Sequence, residues 1–194
     1  MDVLQRAAKL REEATLVMQI VGLERLLQPY GEITPTGSYF LDLMVYPDID
    51  LYMPKVNVGQ LFEIGTHLAD SPLVTRVVFE KSTVPNLPGG LFLQPRIHYG
   101  EWGRPWKIDI WSIDEAVLTE TMSPTRRFAA RMTPSLREQI LHYKFTLMNS
   151  EHRTPSFSGY FIYKAFIDEG LSDFDQVTQY LLDNGINIET AHRN

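Results

Sequence analysis

Between Thr36 and Met53 the chain runs TGSYFLDLMVYPDIDLYM. The end of this stretch reads as a strand. Side chains alternate across a strand, so Asp48 and Asp50 share one face while Ile49 and Leu51 take the other. At ~3.3 Å rise per residue the two Asp backbones lie about 6–7 Å apart, a gap that short carboxylate side chains can close. The start of the stretch is a short β-like segment, ITPTGSYF, in which Gly37 permits close backbone approach and Ser38 adds a hydroxyl. An apolar loop, LDLMVYP, joins the two.

Working outward, Val3 to Leu27 carries apolar residues at helical spacing, with a break expected near Gly22, and Pro29-Tyr30-Gly31 ends it. Residues 58–68 read as a helix closed by Ala69-Asp70-Ser71-Pro72. Three strand candidates follow: VTRVVFE (74–80), GLFLQPRIHY (90–99) and WKIDIWSI (106–113), separated by PNLPGG and GEWGRP. Pro95 predicts a bulge or an edge position in the second of these. Beyond Asp114, read as an N-cap, the pattern is helical throughout: EAVLTETM, PTRRFAARM, PSLREQILHYKFTLM, SGYFIYKAFIDEGL and DFDQVTQYLLDNG. Pro124 and Pro134 are expected near helix starts, and Gly170 and Gly185 at helix ends. The fold class is therefore α+β: a mixed β-sheet flanked by helices over residues 1–115, followed by a helical region, 116–194, that packs against it and forms one side of a cleft.

Bulk properties narrow the function. A net charge of -6 and a pI near 5.4 argue against a surface built to wrap bulk nucleic acid. The absence of cysteine excludes disulfides, thiol nucleophiles and cysteine-ligated zinc. The five His form no metal-binding pair at helical spacing, and no Gly-x-Ser-x-Gly elbow is present. No apolar run approaches the ~20 residues that span a bilayer, and the N-terminus lacks the apolar core of a signal peptide, so a cytoplasmic location is expected.

Asp109, between Ile108 and Ile110, faces away from both and is placed to join Asp48 and Asp50 from a later strand. Two carboxylates 4 Å apart repel by about 4 kcal/mol at an effective dielectric of 20, so such a cluster implies a cation. Magnesium suits it, since it takes hard oxygen ligands. Trp102 and Trp106, in the turn GEWGRPW, are candidates to line a substrate pocket, as are Lys144 and Tyr163 from the helical region, with Arg153 and Lys164 as further candidates there.

Gly37-Ser38, about ten residues, then Asp48-x-Asp50 in an apolar strand and Asp109 on a later strand resemble the signature of the DNA polymerase beta-like nucleotidyltransferases. The flavour is that of small bacterial lincosamide and aminoglycoside nucleotidyltransferases. The resemblance covers about residues 15 to 115. It implies catalytic and metal-binding roles for Asp48, Asp50 and Asp109, phosphate binding at Gly37 and Ser38, and two Mg (or Mn) ions with nucleotide bound. The partners implied are a nucleoside triphosphate (ATP among them) and a small-molecule acceptor, whose hydroxyl Asp109 helps to activate. Many minimal relatives carry Arg or Lys after Gly-Ser, whereas YFLDLMVYP has neither. Triphosphate charge then falls to the metals or to Lys55, Arg96, Arg104, Lys107 or Lys144. That departure also motivates an alternative: a catalytically degenerate fold that binds a nucleotide or metabolite, or acts as a toxin–antitoxin-like interaction protein.

Overall fold

The computed structural model describes residues 1–188. Helix α1 (Val3–Ile20) opens with a capping box between Asp2 and Gln5. It stops where Gly22 turns left-handed, and a short α2 (Leu23–Leu27) follows, so the break falls at the expected glycine. Strand β1 (Thr34–Thr36) leads into a single helical turn, α3 (Gly37–Phe40), rather than an extended segment. Next come β2 (Asp48–Pro54), α4 (Val58–Ala69), β3 (Val74–Lys81), β4 (Leu91–Ile97) and β5 (Trp106–Ile113).

These strands form one sheet in the order β1-β2-β5-β4-β3, in which β2 and β5 run parallel and every other pair is antiparallel. The mixed sheet with flanking helices is the α+β architecture expected. Pro95 departs from expectation. It lies in the interior strand β4, where its missing N–H is tolerated because the β4–β5 ladder lapses between Leu93 and Arg96 and resumes in register; the register shift falls opposite β3 instead, between Val74 and Arg76.

One face of the sheet is apolar. Ile49, Leu51, Met53, Leu93, Ile108 and Ile110 are buried in a core with Leu10, Ala14 and Val17 of α1 and Leu61, Ile64 and Leu68 of α4. The helical region contributes α5 (Glu115–Arg131), α6 (Pro134–Thr146), α7 (Ser158–Ile167) and α8 (Phe174–Asp183). Pro134 starts α6 behind a Thr133 cap, as its position predicts. Pro124 does not start a helix: EAVLTETM and PTRRFAARM fuse into α5, and Pro124 lies within it. Asp114 occupies the N-cap position of α5 without a side-chain cap bond, its carboxylate lying 3.8 Å from Lys55 instead. A second core joins α5–α8 to Val3 and Ala7 of α1 and to Leu41, Leu43 and Val45 of the loop before β2, so the two regions interlock. The expected helical region extends to residue 194, and 189–194 lie outside the described residues. Among the described residues no helix is long and apolar enough to cross a membrane.

Candidate active site

Register lines up the three acids. Parallel pairing of β2 with β5 sets Asp50 opposite Asp109 and Asp48 opposite Lys107. One oxygen from each of Asp48, Asp50 and Asp109 lies within 4.8 Å of the others. Gly37 closes one side of the cluster: its φ is +60°, and a Cβ there would sit 2.2 Å from Asp50 Oδ2. Glycine is thus required twice over at this position, by backbone conformation and by space.

Burial sets the protonation of this cluster. It pushes the Asp48 carboxyl up to about 6, with Lys107 opposing the shift and Asp109 reinforcing it. Asp50 is pushed well above its ordinary value by burial and then by the Asp48 and Asp109 charges. Lys107 bridges the acids, its Nζ 3.0 Å from Asp48 Oδ1 and 2.8 Å from Asp109 Oδ2. Burial works to lower the Lys107 pKa, and the three carboxylates outweigh it, so the ammonium stays charged. Gln94 of β4 donates to Asp109 Oδ1 at 2.8 Å. A hard oxygen donor set, three carboxylates held together against their own repulsion, fits a divalent cation such as magnesium.

The loop after Gly37-Ser38 carries no cation of its own, yet cations grip its backbone. Arg11 of α1 donates to the Tyr39 carbonyl, Arg137 of α6 to Asp42 O at 3.1 Å, Lys144 of α6 to Leu43 O at 2.6 Å and Arg6 of α1 to Val45 O at 2.6 Å. A buried loop must satisfy its carbonyls somehow, and long basic side chains from two helices supply the donors. Lys144 is 2% exposed and also donates to Tyr163 Oη at 3.0 Å. Burial pulls its pKa down to about 7, while Asp48 and Asp50 pull it back up. Burial also raises the Tyr163 hydroxyl well above its usual range, with Tyr46, Asp50 and Asp48 adding to the effect. Lys144 and Tyr163 therefore sit beside the acid cluster.

Other candidates lie elsewhere. Trp102, 5% exposed, donates from Nε1 to Glu13 Oε2 at 2.6 Å and packs under Arg6 of α1, while Trp106 is fully buried in the core beneath the sheet. Neither ring faces the acids, because the odd–even alternation of β5 turns Trp106 to the face opposite Lys107 and Asp109. Arg153 pairs with Glu151 at 2.7 Å, and the half-buried Lys164 engages Tyr180. Lys55 donates to the Gly89 carbonyl beyond the C-terminal end of β2.

A pocket of ≈ 450 Å³ opens beside the cluster, lined by Gly37, Asp50, Tyr52, Trp111, Phe128 and Tyr160 among others. It continues through Tyr52, Thr125 and Tyr160 into a second hollow of ≈ 600 Å³ walled by Pro85, Asn86 and Pro88. Phe157, 87% exposed and with φ +61°, stands at its rim. A larger cavity, ≈ 840 Å³, lies between α1, α2 and β1, and none of the three acids lines it. Tyr163, a candidate from the sequence, is among the walls, whereas Tyr52, Trp111, Phe128 and Tyr160 are not candidates that the sequence offers. Tyr52 and Trp111 were within reach, since each lies two residues beyond Asp50 or Asp109 and so shares its face.

No protein-family model matches the chain, and no curated protein matches it. Among solved structures it is similar to Cid1, an RNA terminal uridylyl transferase, at 15% identity and a TM-score of 0.48, over 71% of this chain and 40% of that one. It is also similar to the GLD-2/RNP-8 complex structure, at 14% identity and a TM-score of 0.48, over 99% of this chain and 70% of that chain. The chain thus spans less than half the length of the Cid1 chain.

Proposed function

We propose that this chain is a metal-dependent nucleotidyltransferase that moves a nucleoside monophosphate from a nucleoside triphosphate to a hydroxyl of a small-molecule acceptor. The observation that carries the reading is the convergence of Asp48, Asp50 and Asp109 within 4.8 Å, beside a glycine that leaves no room for a side chain and a pocket walled by aromatics. Divalent cations held by the three acids would neutralise charge on the attacking and leaving oxygens. The chain's own groups supply the rest. First-turn amides of a helix have no intrahelical partner, so the Gly37-Ser38 turn offers N–H donors and a hydroxyl to phosphate oxygens. Lys144, near 7 when alone, takes a proton as triphosphate charge approaches. The aromatic trough receives the nucleoside, excluding water from the α-phosphate. Asp109, oriented by Gln94, accepts the acceptor's hydroxyl proton. The acceptor oxygen bonds to the α-phosphorus, the bond from that phosphorus to the β-phosphate's bridging oxygen breaks, and pyrophosphate leaves.

A second reading, a fold that binds nucleotide without turning it over, is favoured by Lys107, which already bridges Asp48 and Asp109. One experiment separates the two: calorimetric titration of magnesium and each nucleoside triphosphate into wild type and D48N/D50N, with pyrophosphate release followed for wild type and D50N in the presence of small hydroxyl-bearing acceptors, phosphorylated and not. Metal-dependent binding lost in the double variant, with release lowered at least about a thousand-fold in D50N, is the expected result. Wild-type binding that ignores magnesium supports the second reading, and no binding at all overturns both.

A further inference from the structure

The face that carries the acids also carries a row of cations. Across four strands the register places Asp48 opposite Lys107, Lys107 opposite Arg96, and Arg96 opposite Arg76. Neighbours in such a row are about 4.8 Å apart, and like charges directly opposite one another on paired strands repel. Arg104, from the turn before β5, adds a fourth cation: its guanidinium stands 5.2 Å over the Tyr46 ring, and its buried Nη1 has no hydrogen-bond partner. Burial and then the Arg104 charge lower the Arg96 pKa, with Arg76 adding less. Asp109 and Asp48 attract Arg96, but Lys107 already bridges both. Among the described residues none of Arg76, Arg96 and Arg104 forms a salt bridge.

A solvated rim would account for the exposed Arg76, but not for a half-buried Arg96 and a buried unpartnered Nη1 on Arg104. The row also has a definite position. Gly37 and Lys144 lie on the β1 side of the acids, whereas Arg96 and Arg76 lie on β4 and β3, beyond Asp109. A donor triphosphate at Gly37-Ser38 therefore leaves the arginines free, and they border the carboxylate that would face the acceptor. Guanidinium groups bind phosphate oxygens in a bidentate fork.

We propose that Arg76, Arg96 and Arg104 seat a phosphate ester on the acceptor, so that transfer is directed to a hydroxyl of a phosphorylated small molecule. The inference rests on the nucleotidyltransferase reading for its chemistry but not for its anion site. The net charge of -6 disfavours polyanions as a class and leaves this row as a local exception. Cationic acceptors would be repelled here, which sets this chain apart from enzymes that modify aminoglycosides.

The test titrates ribose 5-phosphate, ribose and a tetraribonucleotide separately into wild type and R76Q/R96Q, and magnesium with the preferred triphosphate into both. Ribose 5-phosphate binding to wild type at least about ten-fold tighter than ribose, with that margin lost in R76Q/R96Q and triphosphate affinity kept within about two-fold, is the expected result. Binding of the tetraribonucleotide but not ribose 5-phosphate would overturn the small-molecule assignment in favour of a nucleic-acid end. Equal binding of ribose 5-phosphate to both proteins, or none to wild type, would overturn the anion site. Loss of triphosphate binding in wild type would instead sink the nucleotidyltransferase reading and leave the phosphate result standing. Circular dichroism melting confirms that the variant is folded before either result is read.

Discussion

The two faces of the central sheet are built from the same strands by opposite means. On one face Ile49, Leu51, Ile108 and Ile110 meet α1 and α4, and packing alone satisfies them. On the other, residues one position away form three rows read straight across the register. Asp48, Lys107, Arg96 and Arg76 make a charged row; Thr36, Asp50 and Asp109 an acidic one that Gln94 joins through its bond to Asp109; Thr34, Tyr52, Trp111 and Phe92 a mostly aromatic one. Among the described residues, Arg76 and Arg96 of the charged row form no salt bridge, and Lys107 alone is salt-bridged to the clustered acids. The apolar face therefore owes its stability to packing, whereas that of the polar face depends on the protonation of its charged groups.

The sharpest test of that contrast is pH. Lys144 loses its proton near 7 in the folded protein, against 10.5 ordinarily. Between those values the unfolded chain binds the extra proton, so stability rises with pH from about 7 upward, and the full penalty, on the order of 5 kcal/mol, applies below 7. Asp48 acts in the opposite direction: its folded pKa is raised to about 6, so its contribution to stability falls as pH rises from about 4 to about 6, and Asp50, also raised by burial, acts in the same direction. Metal-free protein should thus show two opposed limbs in urea unfolding, a falling one that starts near pH 4 and a rising one that starts near pH 7. K144M should lose the rising limb from 7 to 9.5 while keeping the falling one. A rising limb that survives in K144M would mean that another group carries it.

The apolar face was legible in the sequence because alternation and β-branched composition report packing directly. The same alternation placed Asp48, Asp50 and Asp109 together, since each interrupts an apolar strand at a position that its Ile and Leu neighbours turn away from the core. What stayed hidden depended on strand order. That Lys107 meets Asp48, or Arg76 meets Arg96, follows only once β5 is known to lie between β2 and β4 and β3 to be the edge. The four cations that hold the loop before β2 were hidden for a related reason: they come from α1 and α6, far away in the chain. Trp102 and Trp106 misled because an aromatic near an acid-bearing strand carries no label for the face it takes; Trp106 sits one residue out of phase with Asp109.

A core substitution tests whether the faces are separable. I110A removes a fully buried side chain next to Asp109 in sequence but opposite to it in space. It should cost about 3 kcal/mol through lost burial and the cavity left behind, read as a lower urea midpoint with unchanged slope. Magnesium and nucleotide affinity, measured well below the transition, should stay within about two-fold of wild type. Loss of both together would show that the sheet transmits packing defects into the acid cluster, and the contrast between faces would fail.

The smallest effect concerns Lys107, the one cation that bonds two of the acids. In metal-free protein it offsets the repulsion of Asp48 and Asp109, so K107M should lower stability at pH 7.5. The same ammonium also competes with a divalent ion for those oxygens. K107M should therefore bind magnesium in the absence of nucleotide about ten-fold more tightly, close to 1.4 kcal/mol. Added magnesium should then raise its melting temperature more than that of wild type. The opposite result, weaker magnesium binding in K107M, would make Lys107 a support that holds the carboxylates in place for the ion. The polar face would then resemble the apolar one in being organised by its own contacts.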